Sequence, residues 1–497
     1  MPLALAGFAL SARRGPRCAA GWLVLVSLGF YAYWRVSFLP LLLISIAFNF
    51  TAGRALAATG RRERLQSIIL VAGVTADLLA LVYYKYIAAL AASLGFGSIG
   101  GLDLHDIILP LGISFFTFTQ IGYLVDVKQG VAEAQDLLSY VLFVTFFPHL
   151  IAGPILHNRE MMPQFADPKT YRSSARNLAV GLTIFTIGLA KKVLLADPLA
   201  VDVATNFASA DTGGLITSWY AVIGYSLQLY FDFSGYSDMA IGLARMFNIR
   251  FPLNFNSPYK ATTVIDYWQR FHMTLTRFIT MYIFNPLALW VTRVRAARGY
   301  DNSRRVTATF GGFASLVAMP TLVTMGLAGI WHGAGTQYLI FGLLHGVYIA
   351  VNHAMRIFFP APKNPPPRPL AIRIAVHASK VLAVYVAALV AFAFFRARST
   401  GTALHLLAGM LGLHGIGSGL PIMVVIQVTI LFAIVWACPN TQQIMSRFEP
   451  APGRPVANPY PRLTWQPNLR WALVCGAIAA LGVLALGGTT EFLYFQF

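Results

Sequence analysis

The chain has 497 residues, of which 57% are hydrophobic and 11% charged, with a mean hydropathy of +0.64. Ordinary soluble domains carry about 25% charged residues, so a soluble globular enzyme, a disordered chain and a coiled coil are excluded. The net charge of +19 does not point to nucleic acid, because the arginines lie in short segments between apolar runs, the pattern that orients membrane proteins. At about 20 residues per span, the length predicts a polytopic all-α membrane protein with roughly ten to thirteen membrane helices.

Taken in chain order, RRGPR (13–17) precedes an apolar run at 18–34, and a second run, 36–53, follows Trp34-Arg35. No small-residue cleavage site separates them, so the pair is expected to be a retained helical hairpin. The basic segment 54–64, with Arg54, Arg61, Arg62 and Arg64, is then assigned to the cytoplasmic side together with the N-terminus. Further spans are expected near 66–90, 137–152, 178–196, 215–231, 306–330, 335–358, 371–395, 421–437 and 471–487. The basic stretches 293–305, 360–373 and 447–470 are separated by even numbers of spans and can share that side. Residues 400–420, poor in charge, are placed opposite. Nothing in the composition separates a soluble domain, and 1–497 reads as one integral-membrane domain with a core near 105–355.

Two stretches fit poorly as simple spans. Residues 109–126 are broken by Pro110, Gly112 and Gly122, and 229–263 mixes Asp232, Asp238, Arg245, Asn254, Asn256 and Lys260 with apolar residues. Polar or irregular backbone at membrane depth persists only inside protein or along a wet cavity, so both are expected to wall an internal pocket.

Cys18, Cys438 and Cys475 are far apart and form neither a disulfide framework nor a zinc site; Cys18 is expected to be a buried thiol. Asp232 and Asp238 do not share a helix face, and no metal-ligand spacing occurs. His105, His157, His377, His405 and His414 fall near predicted span ends, while His149, His345 and His353 read as hydrogen-bonded structural residues. Two histidines stand apart. His332 lies in GLAGIWHGAG (326–335), where glycines permit close approach of a substrate or a second helix; an intramembrane site and a glycine packing patch are both open readings. His272 lies in DYWQRFHMTLTRF (266–278). On a continuous helix Trp268, His272 and Thr276 would share one face, either at a site or on an interfacial helix with snorkelling arginines.

The blocks LPLGISFFTFTQIGYLVDV (109–127), FFPHLIAGPILH (146–157), YSLQLYFDFSGYSDMAIGLARMFNI (225–249), NFNSPYKATTVIDYWQRFH (254–272), GIWHGAGTQYLIFGLLHG (329–346) and FLYFQF (492–497) resemble the membrane-bound O-acyltransferase (MBOAT) family. The resemblance is to the bacterial branch that includes the membrane subunit of alginate O-acetyltransferase. It implies a helical core with re-entrant or broken segments and a central tunnel. It also implies acyl transfer from a cytoplasmic thioester to a hydroxyl, with His332 as the intramembrane catalytic histidine and His272 as the second functional one. Trp268, Asn256, Asp238 and Trp331 are the expected substrate-binding residues. The sequence departs from the family pattern at Phe271, where tryptophan is usual, at Thr274 and Thr276, where serines are common, and in ITMYIFNPLAL (279–289), which lacks an Arg-Asp pair.

An imidazole with an ordinary pKa of about 6.5 can take the acceptor's proton during attack on the thioester, while His272 would orient the donor or bond its carbonyl. Because glycines line His332, its removal is expected to affect packing little. No tightly bound cofactor or metal is expected; the acyl group would arrive as a co-substrate on acetyl-CoA or an acyl carrier protein. The expected partners are membrane lipids, an extracytoplasmic serine-hydrolase-like relay protein and a polysaccharide as final acceptor, in the bacterial inner membrane. The competing readings are a secondary transporter, a non-catalytic scaffold, and direct acylation of a lipid or protein.

Overall fold

Within lipid a helix satisfies its own backbone polar groups, and the long apolar runs fold accordingly. The computed structural model describes residues 1–60, 62–93, 98–99, 102–103, 107–134, 136–209, 213–360, 362, 366–453, 456–487 and 493. Arg61, His105, parts of the basic stretches 360–373 and 447–470, and all of FLYFQF except Leu493 lie outside the described residues. Among the described residues the architecture is helical, with one two-residue antiparallel pairing of Ser98–Ile99 with Leu102–Asp103.

Seven helices among them are long and apolar enough to cross a membrane: Val36–Ala58, Glu63–Lys85, Ala175–Ala208, Phe310–His332, Thr336–Phe358, Leu370–Arg396 and Leu469–Gly487. Pro2–Ala12 and Ile422–Ala437 are shorter apolar helices. Leu469, Leu473, Leu481, Val483 and Leu484 of the last span are exposed, a surface too apolar to face water. The protein is a multi-pass membrane protein.

The expected hairpin at 18–53 forms from Pro16–Trp34 and the Val36–Ala58 span. Ahead of it, Pro2–Ala12 packs so closely that the Trp22 indole N–H donates to the Ala4 carbonyl at 2.9 Å. Cys18 is exposed, not buried, because it lies on the opposite side from Ala19, Ala20 and Leu23, which carry the packing face. The 137–152 run is not a span. Asp136 caps Leu137–Thr145 by accepting from the Leu138 and Ser139 N–H groups. The helix stops at Phe146, before the short Phe147–Leu150 turn. Pro148 explains the break, since it has no N–H to donate and its ring would crowd the Val144 carbonyl. Nine residues rise only about 13 Å, against a hydrocarbon core of about 30 Å.

The expected span 215–231 extends to a 32-residue helix, Leu215–Met246, in which Asp232, Asp238 and Arg245 are buried. Residues 109–126 form the helix Ile113–Lys128, buried along nearly all of its length. It starts at Gly112, whose φ of 69° and position against the Leu150 carbonyl leave no place for a side chain.

The chain forms two units, neither contiguous in sequence. The first comprises Met1–Leu189, Tyr236–Leu253 and Thr441–Ala480; the second comprises Ala190–Gly235, Asn254–Asn440 and Leu481–Phe497. In the first, Phe146 packs edge-on against Phe247 and Phe251 at 6.2 and 5.8 Å between ring centroids. There too, the Asp238 carboxylate accepts from Thr441 Oγ1 at 2.6 Å and Gln442 Nε2 at 3.1 Å. In the second, Lys192 lies within a π-helical turn, Lys191–Ala196. Its ammonium contacts Asp197 at 2.5 Å and Asp232 at 2.7 Å, and the Leu493 N–H donates to the other Asp232 oxygen at 3.3 Å.

Candidate active site

The second unit holds both singled-out histidines. His332 ends the helix Met319–His332, and the extended residues that follow lead into Thr336–Phe358. The two helices meet at glycines: a side chain on Gly329 would collide with the Tyr338 carbonyl and Gly342, and one on Gly342 with the Met325 carbonyl. Small residues let the backbones approach this closely. His332 is 7% exposed and meets the rings of Trp331, Phe395 and Phe341 at 4.8, 5.0 and 6.0 Å, all edge-on. The glycines pack the two helices together, and aromatic rings surround the imidazole.

His272 does not share a helix with Trp268. Thr263 caps the short helix Val264–Trp268, a turn follows, and His272 itself adopts a left-handed conformation with φ 46° before Met273–Ile279 begins. That conformation is costly for a non-glycine residue and is held by Asn254. The Asn254 carbonyl receives the Met273 N–H at 2.9 Å, and its side-chain oxygen receives the Thr274 N–H at 3.3 Å and Thr274 Oγ1 at 2.8 Å. His272 Nδ1 lies 3.1 Å from the same oxygen. An oxygen already accepting from a backbone N–H is an acceptor here too, so Nδ1 carries the proton and the neutral ring presents a lone pair at Nε2.

Despite the break, Thr276 returns to Trp268: its hydroxyl donates to the Trp268 carbonyl at 3.0 Å. Both residues line a cavity of about 160 Å³ shared with Thr280, Thr321, Thr324 and His353. Thr280 opens a second π-helical turn, Thr280–Phe284, and such bulges recur at functional sites. Thr321 and Thr324 were not singled out by sequence, where an isolated threonine in an apolar span reads as packing. The Thr324 hydroxyl is buried and has no hydrogen-bond partner among the described residues.

His345 also emerges from the structure. The Trp268 indole N–H donates to His345 Nδ1 at 3.2 Å. Because indole is a donor only, the His345 proton lies on Nε2, a buried N–H without a partner among the described residues. Phe341 packs against both His345 and His332, so a continuous run of rings joins His332 to Trp268. The signal in the sequence was the placement of His345 thirteen residues after His332 in the same glycine-rich block.

Of the remaining expected site residues, Trp331 packs on His332. Asn256 belongs to the frame around His272: its N–H donates to the Arg270 carbonyl at 2.9 Å, and its side-chain oxygen accepts from Asn440 at 3.0 Å. Asp238 is in the first unit, bound to Thr441 and Gln442. Phe271, at the tryptophan position of the family pattern, stacks on Tyr267 at 5.3 Å and meets Phe255 edge-on at 5.2 Å. The substitution keeps an aromatic surface there.

We expect His272→Ala to lower turnover about 10²-fold, measured on purified protein with labelled thioester. Wild-type turnover in this variant would remove His272 from the reaction.

Residues 33–390 match the sequence pattern of MBOAT, the membrane-bound O-acyltransferase family. Over 425 residues the chain is 38% identical to the peptidoglycan O-acetyltransferase of Helicobacter pylori, covering 80% of this chain and 74% of that protein. It is 37% identical over 342 residues to the probable alginate O-acetylase AlgI of Azotobacter vinelandii, covering 67% of this chain and 63% of that protein. The AlgI of Pseudomonas aeruginosa is 38% identical over 347 residues, with 67% and 61% covered. The chain thus spans less than two thirds of the length of either alginate O-acetylase. The matched region contains both histidine motifs, the glycine-packed helix pair and the cavity beside Trp268, and the chain belongs to the membrane-bound O-acyltransferase family.

Proposed function

We propose that this enzyme moves an acetyl group from a cytoplasmic thioester, acetyl-CoA or an acyl carrier protein, to a hydroxyl acceptor, and that the group ends on an extracytoplasmic polysaccharide. The observation that carries this reading is the pairing of His332, surrounded by aromatic rings, with a small and mostly apolar cavity at the Trp268 end of the same run of rings. A cavity of about 160 Å³ has room for roughly five waters, enough for an acetyl group. The relatives named for peptidoglycan and alginate O-acetylation support a polysaccharide acceptor.

In this mechanism the acceptor oxygen attacks the thioester carbon while His332 takes its proton. The tetrahedral intermediate collapses with loss of the thiolate, which recovers the proton from the imidazolium. The products are an ester and a free thiol. In this reading His272 orients the donor, and the His345 N–H would meet developing negative charge. A passage lined by His332 would let the acyl group reach the far side of the inner membrane. There a separate serine-hydrolase-like protein would relay it, since no nucleophile-elbow motif occurs in this chain.

The test is proteoliposomes with labelled acetyl-CoA outside and polysaccharide inside, with and without the relay protein. Label appearing in polymer only when the relay is present supports the full scheme. Efficient labelling without it rejects the relay, and no thioester consumption under any condition rejects the enzyme assignment to this donor.

A further inference from the structure

The first unit contains a cationic cleft lined by none of the residues given a role in the acyl-transfer scheme. A cavity of about 510 Å³ is lined by Arg176, Arg245, Arg250, Arg447, Phe448 and Glu449, with Ser174 and Asn177 completing its wall. Four arginines thus face one carboxylate. Arg250 reaches that carboxylate at 3.0 Å, whereas Arg176 lies over the Phe448 ring at 5.1 Å. Arg245 is the unusual member. It is 3% exposed, one terminal nitrogen donates to the Phe448 carbonyl at 3.3 Å, and its buried Nε has no hydrogen-bond partner among the described residues. Its charged neighbours are Arg250 and Arg176, which repel it, and Glu449, which attracts it. A buried guanidinium crowded by like charges is costly unless an anion compensates it.

The cleft is built, not a loose surface patch. Gln164 holds Arg250 by two bonds, accepting its N–H at 2.8 Å and donating to its carbonyl at 3.0 Å. Asn248, at φ 64°, fastens the adjoining wall by accepting from Asn177 at 2.7 Å and donating to the Thr170 carbonyl at 2.9 Å. From this geometry we infer that the cleft binds the phosphate group of a phosphate ester, with Arg245 at its floor and Arg176, Arg250 and Arg447 around its mouth. Planar guanidinium groups match phosphate oxygens bidentately, and a dianion would restore the charge balance that Glu449 alone does not. The two sources of such a group are a soluble phosphorylated ligand and the headgroup of an anionic phospholipid. A coenzyme A donor also carries such phosphate groups, but the inference does not rest on the acyl-transfer reading: the probes below carry no acyl group, so their binding is read whether or not acyl transfer occurs.

Purified full-length protein in detergent would be titrated with labelled pyrophosphate by equilibrium dialysis at physiological salt. In parallel, protein in nanodiscs of phosphatidylglycerol and phosphatidylcholine would be released and its retained lipid identified by native mass spectrometry. Arg447→Gln and Arg176→Gln, both at exposed positions, should each weaken the ligand about threefold, and Arg245→Gln about tenfold or more. Glu449→Gln should tighten it about threefold, a gain that misfolding cannot mimic. Pyrophosphate binding with this pattern identifies a soluble ligand. Selective retention of phosphatidylglycerol with this pattern, without pyrophosphate binding, identifies a lipid headgroup. If neither probe binds, or binding ignores Arg447 and Glu449, the site does not exist. Should Arg245→Gln fail to fold, the Arg447 and Glu449 variants still decide.

Discussion

His332→Gln is expected to lower acyl transfer by about 10²–10⁴-fold, the usual worth of a general base, while the protein remains folded. Glutamine fills much of the imidazole's volume and keeps a hydrogen-bonding end, yet it cannot take a proton from the acceptor. Alanine is a less clean test than the glycine-rich sequence implies. The ring is enclosed by Trp331, Phe341 and Phe395, and each lost edge-on contact is worth about 0.5–1.5 kcal/mol. His332→Ala should therefore show a lowered unfolding midpoint as well as lost turnover. Thioester consumption and thermal unfolding measured on the same preparations separate the two effects. Wild-type turnover by a folded His332→Gln protein would end the general-base assignment.

The largest stability effect is expected for Lys192→Leu, at about 3–5 kcal/mol, because it removes the cation from a buried ionic group. Asp197 and Asp232 both contact this ammonium, and Asp232 also receives the Leu493 N–H. Changing Lys192 and Asp232 together to leucine should recover part of the loss, since the second change removes a carboxylate left in an apolar setting. Thermal unfolding in one detergent reads both variants. An unchanged midpoint for Lys192→Leu would show that the group contributes no net stability.

The long spans were legible because composition alone separates twenty apolar residues from a connection; Thr336–Phe358 and Leu370–Arg396 follow directly from their runs. The break at Phe146 was also written in the sequence, at Pro148, but the apolar count on either side concealed it. The His272 geometry was less accessible. A helical wheel assumes continuity, and nothing local makes a histidine left-handed; the conformation depends on Asn254, eighteen residues earlier. His345 and Thr324 were hidden for a related reason. Each is one polar side chain in an apolar helix, and only the packing of separate segments shows whether its polar atoms find partners.

The interleaving of the first unit has a consequence in time. Asp238 obtains Thr441 and Gln442 only after some 203 further residues have been made. At roughly 5–20 residues per second that is a delay of about 10–40 s. During that interval the carboxylate lacks these two donors. Ribosome pausing between these positions would lengthen the exposure. Nascent chains arrested before residue 441 should accordingly be far more susceptible to membrane proteases than chains released after residue 480.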